Sequence, residues 1–169
     1  RMAELHTNLK FLSISQEEFG HGKTRNYAIE HALGEYIAML TQDAVPVSAG
    51  WLQAFVEEME RHPKAAGAFG PHWAYPDCDP LVRRDLELHF GQFGENVKLF
   101  SIEDRATYDS SEGLRQFLHF FSDNNACLRR SVWECFPYPE VEFGEDQLWA
   151  KKVLEEGYAK LYVPSATVF

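Results

Sequence analysis

Gly34-Glu35-Tyr36-Ile37-Ala38-Met39-Leu40-Thr41-Gln42-Asp43-Ala44-Val45-Pro46 is the stretch whose reading decides the fold of this chain. Tyr36 to Leu40 is a compact apolar run of strand-forming character that stops at the polar Thr41, Gln42 and Asp43. Pro46 prevents the run from continuing, because proline lacks the N–H a strand ladder needs. A buried strand ending in a carboxylate delivers that carboxylate to the carboxyl edge of its sheet, where open α/β sheets hold ligands. Asp43 is the first candidate binding residue.

Working outward, Thr24 to Leu33 carries Ala28, Ile29, Ala32 and Leu33 at helical spacing, with Gly34 as the expected stop. Downstream, Ser48 is placed to cap a helix whose Trp51, Leu52, Phe55, Val56 and Met59 share one face, and His62-Pro63 ends it. Ala65 to Phe69 reads as another strand closed by Gly70-Pro71, and Leu9 to Ile14 as a short strand ahead of them all. This alternation predicts parallel pairing with helices covering the sheet. From His72 to about Glu112 the periodicity fades into a long, partly irregular excursion with a short helix around Leu81 to Phe90, and such a stretch is usually functional. Regularity resumes at Ala126 to Leu128, followed by a short helix near Ser131 to Cys135. A helix over Glu145 to Glu156 then ends at Gly157, and Tyr158 to Val163 forms a closing strand. The chain reads as one domain over residues 1–169, with both ends cut from a longer protein.

Composition excludes several classes. At 169 residues with 45% hydrophobic and 14% aromatic content, the chain can bury a real core and is not disordered. A formal net charge of −10 disfavours nucleic acid, which requires a surplus of Lys and Arg on one face. It leaves room for a nucleotide, whose diphosphate a cation or a few local basic groups can offset. Cys78, Cys127 and Cys135 form no C-x-x-C, so neither a disulfide framework nor a thiolate zinc site is indicated, and a reducing cytoplasm is the simplest compartment. No apolar run approaches the length of a membrane span, and no signal peptide is visible.

Three segments carry chemistry-bearing residues. Glu145 and Asp146 open the last helix, where acids cap free N–H groups and complement the dipole; a carboxylate at a cleft edge also serves as a general base, and one acid can do each. Gly22-Lys23-Thr24 resembles the end of a phosphate loop, but the glycine required five residues before Gly22 is Glu17, so that motif fails. What remains is a glycine at a helix N-terminus beside Lys23 and Arg25, either a diphosphate neighbour or a tight turn. Ser122-Asp123-Asn124-Asn125 concentrates hydrogen-bonding side chains, as a turn does for local reasons or as polyol recognition does. The seven histidines form no H-x-H or H-x-x-x-H, and His6, His31 and His62 read as surface or helix-end residues. No G-x-S-x-G is present, so an esterase-type nucleophile has no support.

Taken in order, these segments resemble a family 2 glycosyltransferase of the GT-A fold. The matching pieces are Gly22 with Thr24-Arg25-Asn26, Gly34 to Ile37 leading to Leu40-Thr41-Gln42-Asp43, and Trp51-Leu52. Later come Ser122 to Arg130, Phe143-Gly144-Glu145-Asp146 and Gly157-Tyr158. Thr-Gln-Asp together with Phe-Gly-Glu-Asp-Gln and a following Trp is most similar to the rhamnosyltransferase-like branch. The resemblance implies a GT-A-like α/β fold with a mixed, mostly parallel sheet flanked by helices, and the family's first strand preceding Arg1. It implies inverting transfer from a nucleotide-sugar, with rhamnose as the specific sugar, to a glycan or lipid-linked acceptor. On this resemblance Asp146 is the general base, and Asp43 holds a divalent cation, Mg²⁺ or Mn²⁺, on the donor diphosphate. Arg25, Lys23 and Gln42 lie toward the nucleotide, and Asn125, Glu145 and Trp149 line the acceptor or sugar side. Thr41 stands where the family's D-x-D has its first acid, which leaves one acid from this motif for the cation. The implied setting is cytoplasmic, at the inner membrane face through the acceptor. The alternatives are a non-catalytic GT-A domain that binds glycan or a partner protein, and a nucleotidyltransferase.

Overall fold

Five strands carry the sheet: β1 Tyr36–Leu40, β2 Ala65–Phe69, β3 Lys98–Phe100, β4 Asn125–Arg129 and β5 Ala159–Tyr162. They lie in the order β1-β4-β2-β5-β3 in a computed structural model that describes residues 8–169. The helices are α1 His21–His31, α2 Trp51–Arg61, α3 Pro80–Gly91, α4 Arg105–Ser110, α5 Glu112–His119, α6 Arg130–Cys135 and α7 Glu145–Glu155.

The sheet is mixed and flanked by helices, but its pairing departs from the alternation of elements. β1 and β2 are not neighbours: β4 is inserted between them, antiparallel to both. Only β2 and β5 pair in parallel, and β3 closes the far edge antiparallel to β5. Local sequence around α2 reports a strand–helix–strand unit; it does not report that a strand some sixty residues later enters the gap.

Small residues explain the centre. All five residues of β2, Ala-Ala-Gly-Ala-Phe, are buried, as expected of a strand covered on both faces. One face packs Ala66, Phe69, Ala126 and Leu128 against Trp149, Ala150 and Val153 of α7. The other packs Ala65, Ala68, Cys127 and Leu161 against Trp51, Phe55 and Met59 of α2. Phe55 and Met59 are fully buried, and each such side chain contributes roughly 1.5–3 kcal/mol of apolar transfer. Lys160 of β5 is also buried; its ammonium donates to the Phe120 carbonyl and lies 5.1 Å from the Phe69 ring centroid. Burial pushes it down to about 7.

Other departures are local. Leu9 to Ile14 forms no strand; Leu9, Phe11 and Ile14 are exposed and make no ladder among the described residues. α1 ends at His31, ahead of Gly34, and α2 is preceded by Gly50 with no side-chain cap from Ser48. The His72 to Glu112 excursion holds α3, β3 and α4. Asp79-Pro80, which reads as irregular, is a start signal: the Asp79 carboxylate accepts from Leu81 N at 2.7 Å and Pro80 takes the first turn. His6 lies outside the described residues.

Candidate active site

Register places the candidate residues at one sheet edge. Leu40 at the end of β1 faces Asn125 at the start of β4, Phe69 at the end of β2 faces Ala126, and Phe69 also pairs with Tyr162 at the end of β5. The segments Thr41 to Asp43, Gly70 to Trp73, Ser122 to Asn124 and Pro164 to Phe169 therefore leave the sheet together. Residues 164–169 run between the first two, with Val45 and Phe169 exchanging backbone hydrogen bonds and Trp73 N donating to Val168 O at 2.8 Å.

The densest chemistry is an acid cluster where α1 meets the start of α7. Gly144 precedes α7 with φ 77°, a left-handed conformation that glycine adopts without a Cβ penalty, so the turn can aim both following acids inward. Glu145 is buried and pairs with the Arg25 guanidinium. Arg25 Nε also lies 3.1 Å from Asp123 Oδ2, a charge contact rather than an aligned hydrogen bond. The Tyr138 hydroxyl donates to Asp123 Oδ1 at 2.6 Å. Asp146 is half-buried; its Oδ1 accepts from Gln147 N at 2.8 Å and its Oδ2 from Asp123 N at 3.4 Å.

One guanidinium thus pairs with two of three neighbouring carboxyl groups. Burial pushes Asp123 up to about 7, against the opposing pull of Arg25 and Tyr138, with Asp146 and Glu145 adding to the rise. Burial also raises Asp146, reinforced by Glu145 and opposed by the Gln147 N–H. A raised carboxyl is a stronger base once ionised, and Asp146 is the one of the three not committed to Arg25 or Tyr138.

Asp43 sits differently. It is exposed on the turn after β1, where its backbone carbonyl accepts from the Tyr75 hydroxyl at 2.8 Å. It shares a small cavity with Thr41, Asn124 and His72. No group of three or more His, Cys, Asp or Glu among the described residues is arranged to hold a metal ion. Asp43 fits a hard cation only as one oxygen ligand among several, the rest coming from a ligand and water.

The other expected site residues divide. Gln42 and Lys23 are exposed, Lys23 beside a shallow cavity with Glu140 and Glu142. Arg25 is engaged by acids, which leaves it little charge for a diphosphate. Gly22 is not a phosphate loop: it is buried in α1, where an added Cβ would collide with the Pro139 carbonyl, so it allows close helix packing. Asn125 is fully buried, accepting from Trp51 Nε1 at 2.8 Å and donating to Pro71 O at 3.1 Å and Ala166 O at 2.7 Å. Trp149 is buried, donates to Phe136 O at 2.8 Å, and supports Tyr138 and Phe121 from below. Neither Asn125 nor Trp149 lines an open surface, a correction to the acceptor-side placement: both brace the site from the core. Tyr138 escaped the sequence reading because it acts through a partner, Asp123, that local pattern does not connect to it. Asp123, inside a polar run that also suits a turn, carried the one available signal.

The family model described as Glycosyl transferase family 2 matches residues 2–136. The chain is 29% identical over 164 residues to the O-antigen chain rhamnosyltransferase RfbN of Salmonella typhimurium, covering 95% of this chain and 49% of that protein. It is 28% identical over 170 residues to the O-antigen chain rhamnosyltransferase WbaN of Salmonella anatum, covering 99% and 50%. The chain thus spans about half the length of the relatives it matches. Among solved structures, the mannosyltransferase PcManGT from Pyrobaculum calidifontis, in complex with GDP-Man and Mn²⁺, superposes with a TM-score of 0.64 at 18% identity over 98% of this chain and 41% of that one. S. aureus TarS 1-349 in complex with UDP-GlcNAc gives 0.65 at 16% identity over 99% and 44%. These structural likenesses show the GT-A fold.

Proposed function

We propose, since this chain belongs to glycosyl transferase family 2, that its site moves a sugar with inversion from a nucleoside-diphosphate donor to a hydroxyl of a glycan or lipid-linked acceptor. Rhamnose is the sugar we assign, on the similarity to two rhamnosyltransferases. The observation that carries the reading is the setting of Asp146. It is half-buried, raised by its surroundings, and held by two backbone N–H groups. In this reading Asp146 takes the proton of the acceptor hydroxyl as that oxygen attacks the anomeric carbon. The bond to the diphosphate breaks on the opposite face, and its electron pair leaves with the phosphate oxygen.

Arg25 and Asp123 act as positioning residues: Arg25 balances the acids around the base, and the Asp123 N–H fixes one Asp146 oxygen. Lys23 and Gln42 lie toward the nucleotide, and Glu145 helps hold the acceptor side through Arg25. Asp43 would hold a divalent cation, Mg²⁺ or Mn²⁺, which would supply charge neutralisation for a leaving diphosphate. The setting we infer is the cytoplasmic face of a membrane, reached through the acceptor; among the described residues no helix is long and apolar enough to cross one.

The test is a panel of nucleotide-sugars on the full-length protein, with and without Mg²⁺ or Mn²⁺. Transfer or slow hydrolysis of one donor, abolished by Asp146→Asn, is the expected result. Turnover that survives Asp146→Asn removes the base assignment, and pyrophosphate release from a nucleoside triphosphate instead makes the protein a nucleotidyltransferase.

A further inference from the structure

A second, larger cavity opens beside the Asp43 turn. It has a volume of about 720 Å³, within the range of ligand-binding cavities, and lies between α3 and the ends of β2 and β5. His72, Trp73, Ala74, Leu86 and Phe169 line both this cavity and the small one that contains Asp43 and Asn124, so the two are chambers of one cleft. We propose that the larger chamber binds a neutral pyranose unit of the acceptor saccharide, stacked on Trp73 and hydrogen-bonded by His72 Nε2. The proposal rests on the glycosyltransferase reading and locates its acceptor.

Three observations choose the occupant. Trp73 is 54% exposed at the chamber wall, meets the Phe169 ring in an edge-to-face arrangement at 6.2 Å, and its indole N–H enters none of the described hydrogen bonds. An aromatic face suits the C–H surface of a pyranose, and its polar edge suits hydroxyls. His72 lies 4.8 Å from the Phe90 ring, and its buried Nε2 has no hydrogen-bond partner among the described residues. A buried polar atom left this way is costly unless a ligand or water completes it. Burial and His89 hold His72 down at about 4 despite Asp43, so near neutral pH its ring is uncharged and exchanges neutral hydrogen bonds with a hydroxyl. Charge excludes an anion: Glu87 and Glu95 line the chamber, and Arg83, its one guanidinium, already donates to Tyr75 O at 3.2 Å and Pro76 O at 2.9 Å. A diphosphate is repelled where a neutral polyol is accepted.

Two variants of the full-length protein test this, Trp73→Ala, at an exposed position, and His72→Phe, which keeps ring volume and removes the polar atoms. Saturation-transfer NMR with the methyl glycosides of rhamnose, galactose and mannose reads binding directly and needs no turnover. The expected result is contact from at least one glycoside in the wild type, weakened about tenfold in each variant. In steady-state assays the acceptor KM rises at least five times more than the donor KM. Acceptor KM and glycoside binding within twofold of wild type in both variants overturn the proposal, and a donor KM that rises as much as the acceptor KM assigns the chamber to the donor instead. If the wild type turns over no nucleotide-sugar, the glycosyltransferase reading fails by itself, while glycoside contact that Trp73→Ala removes still establishes a saccharide site.

Discussion

The two carboxylates at the sheet edge are held in opposite ways. Asp146 stands in a buried network with Asp123, Tyr138, Glu145 and Arg25, and both of its oxygens are fixed by backbone N–H groups. Asp43 is exposed on a turn, anchored through its backbone carbonyl, while its carboxylate enters no hydrogen bond or ion pair among the described residues. A proton acceptor gains from being preorganised and partly desolvated, since burial raises its basicity. A ligand to a cation gains from accessibility, since ion and diphosphate arrive together. On the proposed function, one end of the site is built in advance and the other is left for the substrate to complete.

Breaking the preorganised end has the largest effect. Asp146→Asn keeps the shape but turns one accepting oxygen into an NH2, so it loses the base and one of the two backbone contacts; transfer falls about 10²–10⁴-fold in a steady-state assay while donor binding by calorimetry persists. Arg25→Met comes next: it leaves buried carboxyls uncompensated and costs about 3–5 kcal/mol in urea unfolding at pH 8. The cost is smaller at pH 5, where Asp123 can carry its proton. If Arg25→Met unfolds like wild type at both pH values, the guanidinium does not hold the cluster. At the open end, Asp43→Asn leaves the unfolding midpoint unchanged and raises the Mn²⁺ concentration for half-maximal rate about 10–100-fold. A loss of stability there instead erases the contrast between the two ends.

The smallest effects are slopes of stability with pH. Folded Asp123 keeps its proton up to about 7, whereas the unfolded carboxyl releases it near 3.8, so its contribution favours folding at low pH and is lost as pH rises across that window. Lys160 runs the other way: folded, it gives up its proton at about 7, unfolded near 10.5, so stability rises with pH between those values. Asp123→Asn removes the first slope and Lys160→Met the second, each read from denaturation midpoints across the pH range. If both slopes persist in the double variant, other groups carry them.

What was legible in the sequence follows from the range of the forces involved. Asp43 could be read because a strand's end is a local property: five apolar residues, then polar ones, then proline. Asp146 could be read as a helix-start acid for the same reason, and the order of motifs supplied the role proposed for it by resemblance. The insertion of β4 between β1 and β2 could not, because pairing between residues far apart leaves no local periodicity. Arg25 misled for a related reason. A basic residue near a helix N-terminus points to an anion, and the anions turned out to be the chain's own Asp123 and Glu145. Asn125 and Trp149 look like recognition residues by type, yet burial turned both to the interior.

The segment 164–169 runs between the Asp43 turn and the Trp73 loop and is tied to each by backbone hydrogen bonds. The spacing of the two chambers is therefore set by main chain, and the side chains of Trp73 and Glu87 enter none of the described hydrogen bonds that fix it. A scaffold of this kind separates what is read from where it is read. Substitutions at 73 and 87 retune which hydroxyl pattern is accepted without shifting the Asp43 carboxylate, which makes those two positions the natural starting points for redirecting specificity.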